Sequence, residues 1–301
     1  MAFSGTQIDL TWAPWTRVAE VCDRGYDVMH FHTIWNPLVP FQLAARFRGP
    51  KVATFHDVPG PDTPDWASGL MSPASELIRR VALGCVIAVS PSVSRYLSDG
   101  HHEIIPNGLS TPDELPPEGE REAVLYLGRL EPRKGVRTLI EAAVLLGAQA
   151  PPIWIAGDGP LRADLEKLAP PHVRFFGEVS DDEKWSLLRR AALVVAPSLG
   201  GESFGIILLE AMAAGAPPVA ANNPGYRDVL AERSGDLLFA PGDARSLAGR
   251  ISALMADGTR RRALRAWGEN HWRQFDWRAL AARIEHVYER AISGSRPASG
   301  F

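Results

Sequence analysis

Residues 197–218 read PSLGGESFGIILLEAMAAGAPP, which is the most informative segment of the chain. A glycine pair precedes Glu202, and a helix is predicted from near Phe204, so the N–H groups of residues Ser203 to Ile206 are free to point at an anionic or hydroxyl-rich ligand. Glu210 follows in a helix that is otherwise apolar. A carboxylate there is costly unless it is hydrogen-bonded, and sugar or ribose hydroxyls are suitable donors.

Outward from this segment, short apolar runs alternate with helical stretches along most of the chain. In the second half we predict strands at Ala123–Leu127, Ile153–Ala156, Val173–Phe176, Leu193–Ala196, Pro218–Ala220 and Asp236–Phe239. In the first half we predict strands at Tyr26–His32, Lys51–His56, Cys85–Ser90 and Glu103–Pro106, and helices near Pro37–Phe47, Pro73–Leu83 and Pro91–Leu97. This β-α-β-α order predicts an α/β fold with parallel sheets and helices on both faces.

A proline-rich acidic segment separates the two halves. Residues 110–121 read STPDELPPEGER, a composition that is excluded from a sheet interior and is typical of a linker. We therefore predict a first domain over residues 1–116 and a second over residues 117–275. The remaining residues, 276–301, are predicted to form a final helix capped by Asp276 that crosses back to the first domain.

Composition excludes several classes of protein. A net charge of -3 without a basic stripe argues against a nucleic-acid partner. The two cysteines, Cys22 and Cys85, lack metal-ligand spacing and are expected to be free thiols in a reducing compartment. The first ten residues do not read as a signal peptide, and no run approaches the ~18 apolar residues of a membrane span. We expect a cytoplasmic protein, with peripheral contact at the inner membrane face left open.

Two cations follow the first predicted strand of the second half. Gly128-Arg129 ends that strand, and Lys134-Gly135 comes just before the next helix. Ligands of doubly wound sheets bind beyond the carboxyl ends of the strands, and a leaving diphosphate needs positive charge. Arg129 and Lys134 are therefore candidate diphosphate ligands, with a solvated basic turn as the alternative.

These motifs together resemble a known family. Glu202 and Glu210 match the E-x7-E pattern of retaining glycosyltransferases of the GT-B type, and GGESFGIILLEAMAAG resembles bacterial phosphatidylinositol mannosyltransferases of glycosyltransferase family 4. Supporting matches are the Arg129 and Lys134 motifs, Asn107-Gly108 and Gly157-Asp158-Gly159. The resemblance covers roughly residues 26–291. It implies two Rossmann-like domains that face each other across a cleft.

The resemblance also implies a role for each matching residue. Glu202 would hold hydroxyls of the donor sugar, Glu210 the ribose, and residues 177–184 the base through Val179, Asp181 and Lys184. A capped helix start with Ser180 as N-cap is an equally compatible interpretation of that last segment. The predicted donor-binding set is Gly128, Arg129, Lys134, Val179, Asp181, Lys184, Glu202, Ser203, Phe204, Gly205, Ile206 and Glu210, and the predicted catalytic set is His56, Glu202, Arg129 and Lys134.

Histidines mark the first half. His56 ends a predicted strand and matches a histidine that the family places in the cleft beside the transferring sugar; a structural role is the alternative. His30 and His32, on the preceding strand, could suggest a metal site, but no third ligand is apparent and the family needs no metal. We interpret them as residues of the sheet edge and cleft, and expect neither metal nor cofactor.

The implied reaction moves a hexose, mannose from GDP-mannose, to a hydroxyl acceptor on a lipid or glycan, with retention of configuration. One alternative is a sugar-nucleotide epimerase of the same fold, and another is a non-catalytic nucleotide-sugar-binding subunit. The family's opening βαβ portion, with its glycine-rich loop, has no counterpart here. We therefore expect a truncated first domain that self-associates or needs a partner chain, because an uncovered edge strand invites pairing.

Overall fold

The computed structural model of this chain describes residues 2–3, 6–7, 12–32, 39–56, 84–97 and 102–295. They form two compact units. The first comprises residues 1–107 and 278–301, and the second is the continuous segment 108–277. The predicted helix 73–83, the start of the predicted helix at Pro37, and Asp57 lie outside the described residues.

The second unit is built on a six-stranded parallel sheet. Its order is β12-β11-β10-β7-β8-β9. The strands are β7 (Ala123–Leu127), β8 (Ile153–Ala156), β9 (Val173–Gly177), β10 (Ala191–Ala196), β11 (Pro218–Ala221) and β12 (Leu238–Phe239). Most are fully buried, as expected for a parallel sheet covered on both faces, and this is why they read in the sequence as continuous apolar runs.

The strand order contains the reversal that defines a doubly wound sheet. From β7 the chain first adds β8 and β9 on one side, then returns to add β10, β11 and β12 on the other. The intervening helices are Val136–Leu146, Arg162–Leu168, Asp181–Arg190, Ile206–Ala213, Pro224–Leu230 and the short Ser234–Leu237. In such sheets the ligand crevice lies at the carboxyl ends of the two strands that flank the reversal, here β7 and β10.

Two local predictions in this unit need correction. Residues Ser234–Leu237 form a helical turn, so the strand predicted from Asp236 begins only at Leu238. The helix predicted from near Phe204 begins at Ile206. Gly205 takes a φ of 104°, so the helix starts only after it, and the SGDL run of residues 234–237 has too few apolar residues for periodicity to locate a strand boundary.

The second unit begins nine residues before the boundary predicted at residue 117. Leu109 forms a parallel bridge with Asp276, and its N–H donates to the Phe275 carbonyl at 2.8 Å. In the proline-rich segment, Glu118 accepts hydrogen bonds from Arg121 and Arg265, which hold the pKa of its carboxyl at about 2. This segment is therefore packed on the second unit, although its composition is typical of a linker.

The first unit contains a four-stranded parallel sheet in the order β3-β4-β5-β6. Its strands are β3 (Met29–His32), β4 (Lys51–Phe55), β5 (Cys85–Ala88) and β6 (His102–Ile104). Its helices are Trp15–Cys22, Val39–Arg46 and Pro91–Ser94, and a small antiparallel pair joins β1 (Ala2–Phe3) to β2 (Thr6–Gln7).

Three further helices follow β12: Ala244–Ala256, Gly258–His271 and Trp277–Ser295. The last of these joins the first unit, where Leu280, Val287 and Ala291 form one buried cluster with Val52 and Ile87 of the sheet and with Ile105, which follows β6. None of the helices among the described residues combines the length and apolar character that a bilayer crossing demands.

Candidate functional site

The loops after β7 and β10 meet at the reversal of the second sheet. The N–H of Leu199, after β10, donates to the carbonyl of Arg133, after β7, at 2.9 Å. Gly135 allows this approach: its φ is 66°, and a Cβ there would lie 2.0 Å from the Pro197 carbonyl oxygen. A residue with a left-handed backbone that lies this close to another backbone must be glycine. In the KG pair, Gly135 is therefore required by packing, and Lys134 supplies the charge.

Glu202 lies at the centre of this meeting point. One carboxylate oxygen, Oε1, accepts from Lys134 Nζ at 2.8 Å, from Arg133 Nη1 at 3.1 Å and from the Ser198 hydroxyl at 2.9 Å. The Glu202 side chain is only 12% exposed. Charge-assisted hydrogen bonds of this length are the strong kind, so the loop carboxylate and both cations are held in fixed positions.

A buried polar group supports Ser198 from behind. Tyr226, fully inside the unit, donates its hydroxyl to Ser198 Oγ at 3.1 Å, and Asn223 Nδ2 donates to the Ser198 carbonyl at 3.4 Å. Burial raises the pKa of Tyr226, with the Glu202 carboxylate adding to the shift. The phenol therefore stays a neutral donor, and the path from Tyr226 through Ser198 orients Glu202.

The sequence did not point to Arg133, Ser198 or Tyr226. Arg133 directly precedes Lys134, and this RK pair carries two cations in one turn. Its Nη1 contacts Glu202, and its buried Nε has no hydrogen-bond partner within the described structure. The spacing of four between Ser198 and Glu202 was the available clue for the serine. Tyr226, 24 positions beyond Glu202, offered none.

Arg129 is placed apart from this cluster. Its side chain is 74% exposed and pairs with Glu131 at 2.6 Å. Among the predicted diphosphate ligands, the structure therefore brings only Lys134 to Glu202. Exposed ion pairs contribute little, so the pairing with Glu131 leaves the Arg129 guanidinium available to an anion.

Glu210 is paired with a cation from the predicted base-binding segment. Lys184 Nζ lies 3.0 Å from Glu210 Oε1 and 2.9 Å from Asp181 Oδ1. Burial alone would lower the pKa of Lys184, but its bonds to the two carboxylates outweigh that effect and raise it. The structure thus joins three predicted donor contacts in one chain of ion pairs, in which Glu210 is 13% and Asp181 88% exposed.

The remaining predicted donor contacts have mixed surroundings. The Ser180 N-cap is confirmed, because Ser180 and Glu183 form a reciprocal capping box. Val179 packs against the core of the unit. Phe204 is buried, with its ring 5.6 Å from that of Phe275, and Gly205 takes a φ of 104° as N-cap of the helix Ile206–Ala213. Their backbone contacts with sugar and phosphate stay predictions.

In the first unit, three histidines form a stack. The ring centroids of His30 and His32 are 4.4 Å apart, and those of His32 and His56 are 5.1 Å apart. His32 Nδ1 lies 2.8 Å from His56 Nε2. Burial first, and the neighbouring imidazoles second, lower the pKa of both His30 and His56 to about 4.

No cluster of three or more histidine, cysteine or carboxylate side chains suited to a metal ion occurs among the residues that the structure describes. The ring of His30 stacks on that of His32, and His32 contacts His56 through both a ring nitrogen and its ring face. At neutral pH the lowered pKa values leave His30 and His56 uncharged.

Comparison with known proteins accounts for nearly the whole chain. Residues 110–271 match the family model described as glycosyl transferases group 1, and residues 2–112 match glycosyltransferase family 4. The phosphatidyl-myo-inositol mannosyltransferase of Mycolicibacterium smegmatis is 36% identical over 293 residues, covering 91% of this chain and 74% of that protein. The glycogen synthase of Mycobacterium tuberculosis is 31% identical, covering 90% and 70%.

Solved structures share the fold. The Anabaena protein HepE in complex with UDP superposes with a TM-score of 0.76 at 22% identity, over 90% of this chain and 81% of that one. Sucrose-phosphate synthase from Thermosynechococcus elongatus superposes with a TM-score of 0.75 at 22% identity, over 92% and 76%. At this identity the likeness speaks for the GT-B fold alone.

Proposed function

The chain belongs to the glycosyltransferases of group 1 and family 4, and on that premise we propose that it transfers mannose from GDP-mannose to a hydroxyl of an inositol phospholipid. It is a hexosyl-transferring enzyme of the GT-B fold. Donor, acceptor and retention of configuration are the proposed parts. The M. smegmatis relative, a phosphatidyl-myo-inositol mannosyltransferase that is 36% identical over most of this chain, supports mannose and the lipid acceptor.

One observation carries the proposal: Glu202 is held by Lys134 and Arg133 at the carboxyl edge between β7 and β10. A nucleoside diphosphate seated at this reversal would place its phosphates beside Lys134 and Arg133. The sugar, attached to the outer phosphate, would then lie near Glu202. A carboxylate accepts hydrogen bonds from sugar hydroxyls, so donor binding and sugar recognition come from adjacent side chains.

The nucleoside part of the donor is assigned to the Glu210 and Lys184 pair. The Glu210 side chain is only 13% exposed, so a ribose hydroxyl that donates to its carboxylate displaces little bound water. Lys184 and Asp181 lie at the start of their helix, where Lys184 can contact the base.

The chemistry is a group transfer. The bond between the anomeric carbon and the diphosphate oxygen breaks, a bond to the acceptor oxygen forms, and the acceptor hydroxyl gives its proton to the departing diphosphate. Negative charge grows on the leaving diphosphate, and fixed cations stabilise it without reorganisation. We propose Lys134, Arg133 and the exposed Arg129 for this task, with no metal ion and no cofactor. His56 is proposed to lie beside the transferring sugar.

The test uses the full chain, vesicles containing phosphatidylinositol, and GDP-mannose, UDP-glucose or UDP-N-acetylglucosamine as donor. We expect mannosyl transfer from GDP-mannose alone, and an α-linked product by NMR. A β-linked product would refute retention. Preference for a UDP-sugar would refute the donor, and donor binding without transfer to any acceptor would favour the non-catalytic subunit. Peripheral membrane contact and self-association stay predictions, checked by vesicle sedimentation and light scattering.

A further inference from the structure

The histidine stack is unusual in its composition. The chain has eight histidines, and three of them meet in one place. His30 and His32 are two residues apart on β3 and therefore share one face of the sheet. The parallel register sets His32 opposite Thr54 of β4, so His56, two residues further on, reaches the same face.

His30 is fixed on both sides. Its Nδ1 lies 2.7 Å from the hydroxyl of Tyr288, and its Nε2 lies 2.7 Å from the hydroxyl of the buried Thr54. Both ring nitrogens are therefore occupied, and the ring has no group left for a ligand. The ring of His30 is thus fixed, and the ring of His32 stacks on it with 29° between the two planes.

His32 lies between His30 and His56 and contacts both rings. Its Nδ1 lies 2.8 Å from His56 Nε2, and the side chain of Asn107 counters part of the lowering of the His56 pKa. A neutral imidazole carries one N–H and one lone pair, so one ring must donate and the other must accept. Moving the proton within either ring, or flipping the ring, breaks the contact. The orientation of His56 is therefore coupled to that of His32.

We propose that His32 is a positioning residue, which holds the imidazole of His56 in one tautomer and one ring orientation. This inference rests on the proposed role of His56 beside the transferring sugar. The hydrogen bond on a ring nitrogen decides which atom carries the proton, so a histidine that contacts a sugar hydroxyl requires such a partner. His32 supplies it from the adjacent strand, and the pair of hydroxyls on His30 keeps His32 in place.

The test compares three variants of the full chain. His32→Phe keeps the stacked ring without its nitrogens, His32→Asn keeps a hydrogen-bonding group near the position of Nδ1, and His286→Phe makes the same change at an exposed histidine as the matched control. We expect His32→Phe to lower kcat by about 10- to 100-fold, the scale on which displaced reacting groups lose rate, with KM for the donor within about two-fold. His32→Asn should recover most of kcat, and His286→Phe should not differ from the unaltered chain.

Nitrogen-15 NMR of the imidazole rings supplies a measurement independent of turnover. We expect one tautomer of His56 in the unaltered chain and in His286→Phe, and a mixture of both tautomers in His32→Phe. A single tautomer in His32→Phe together with an unchanged kcat would overturn the proposal. Full turnover in His56→Ala would instead refute the role of His56 in transfer, and the NMR result would still decide whether His32 positions it.

Discussion

Lys134 Nζ and Glu202 Oε1 are 2.8 Å apart, so the proposed ligand of the diphosphate and the proposed ligand of the sugar neutralise each other. This pairing predicts opposite effects on binding and on transfer for Glu202→Gln. The amide no longer cancels the charge of Lys134 and Arg133, so GDP should bind more tightly, by about 0.5–1 kcal/mol. Transfer should fall by about 100-fold or more, because the hydroxyls of the donor sugar lose the charged carboxylate to which they donate hydrogen bonds.

Calorimetry with GDP and a mannosyl-transfer assay measure the two effects on one preparation. The amide oxygen of Gln can still accept from Lys134, Arg133 and Ser198, so the chain should fold, but the two cations lose a counter-ion that is only 12% exposed and the melting temperature should fall modestly. Near-normal turnover in a folded Glu202→Gln variant would remove this residue from the mechanism.

The cations at the reversal of the sheet make a second prediction. Lys134→Ala and Arg129→Ala should each weaken GDP binding by about 1.5–3 kcal/mol, the scale of a hydrogen bond to a charged group. Arg137→Ala, in the exposed face of the following helix, is the matched control and should leave binding unaltered. Unchanged affinity in both variants would show that the diphosphate lies elsewhere, and a loss confined to Lys134→Ala would make the exposed Arg129 a solvated residue.

Glu210 separates recognition of the nucleoside from recognition of the phosphates. Glu210→Gln should weaken binding of GDP by about 1–2 kcal/mol, because an amide is a poorer acceptor for ribose hydroxyls than a carboxylate. It should leave binding of inorganic pyrophosphate unaltered. Competition between each ligand and a fluorescent GDP analogue measures both affinities, and an equal loss for the two ligands would place Glu210 at the phosphates.

Acid should destabilise the first unit through its histidines. The pKa of His30 and of His56 falls from 6.5 to about 4 on folding, so between these values the unfolded chain binds protons that the folded chain does not. Their contribution is complete above about pH 6.5 and is lost as the pH falls toward 4. Urea unfolding at a series of pH values measures this slope.

His56→Asn should reduce that slope, since the variant removes one of the two titrating rings. His286→Asn replaces an exposed histidine and should keep it. Equal slopes in the two variants would mean that acid acts on other groups.

Much of the second unit could be predicted because buried parallel strands read as apolar runs. The strands Ala123–Leu127 and Ile153–Ala156 have the predicted bounds. The predicted α/β class and the predicted family are both confirmed. The family could be predicted because the glycine-rich loop before Glu202 and the KG pair are local sequence features. Local features survive in a single sequence, because no distant partner is needed to define them.

Contacts that depend on strand register could not be predicted. Nothing within the HFH run or around His56 states that β3 and β4 pair with His32 opposite Thr54, and only that register stacks the rings. Tyr226 is similar, since it reaches Ser198 across 28 positions. The bridge between Leu109 and Asp276 joins the two ends of the second unit, and the composition of residues 110–121 carries no sign of it.

That pairing has a consequence for biosynthesis. Because Leu109 and Asp276 are neighbours, the second unit starts and finishes at one point, and it is topologically an insertion within the first. A ribosome therefore completes the second unit before it synthesises residues 278–295, whose apolar side chains cover Val52, Ile87 and Ile105. Until then Val52, Ile87 and Ile105 lack the cover that the helix gives them. The last helix thus covers an apolar surface of its own chain. Its loss would expose that surface and favour aggregation, rather than give a shorter enzyme.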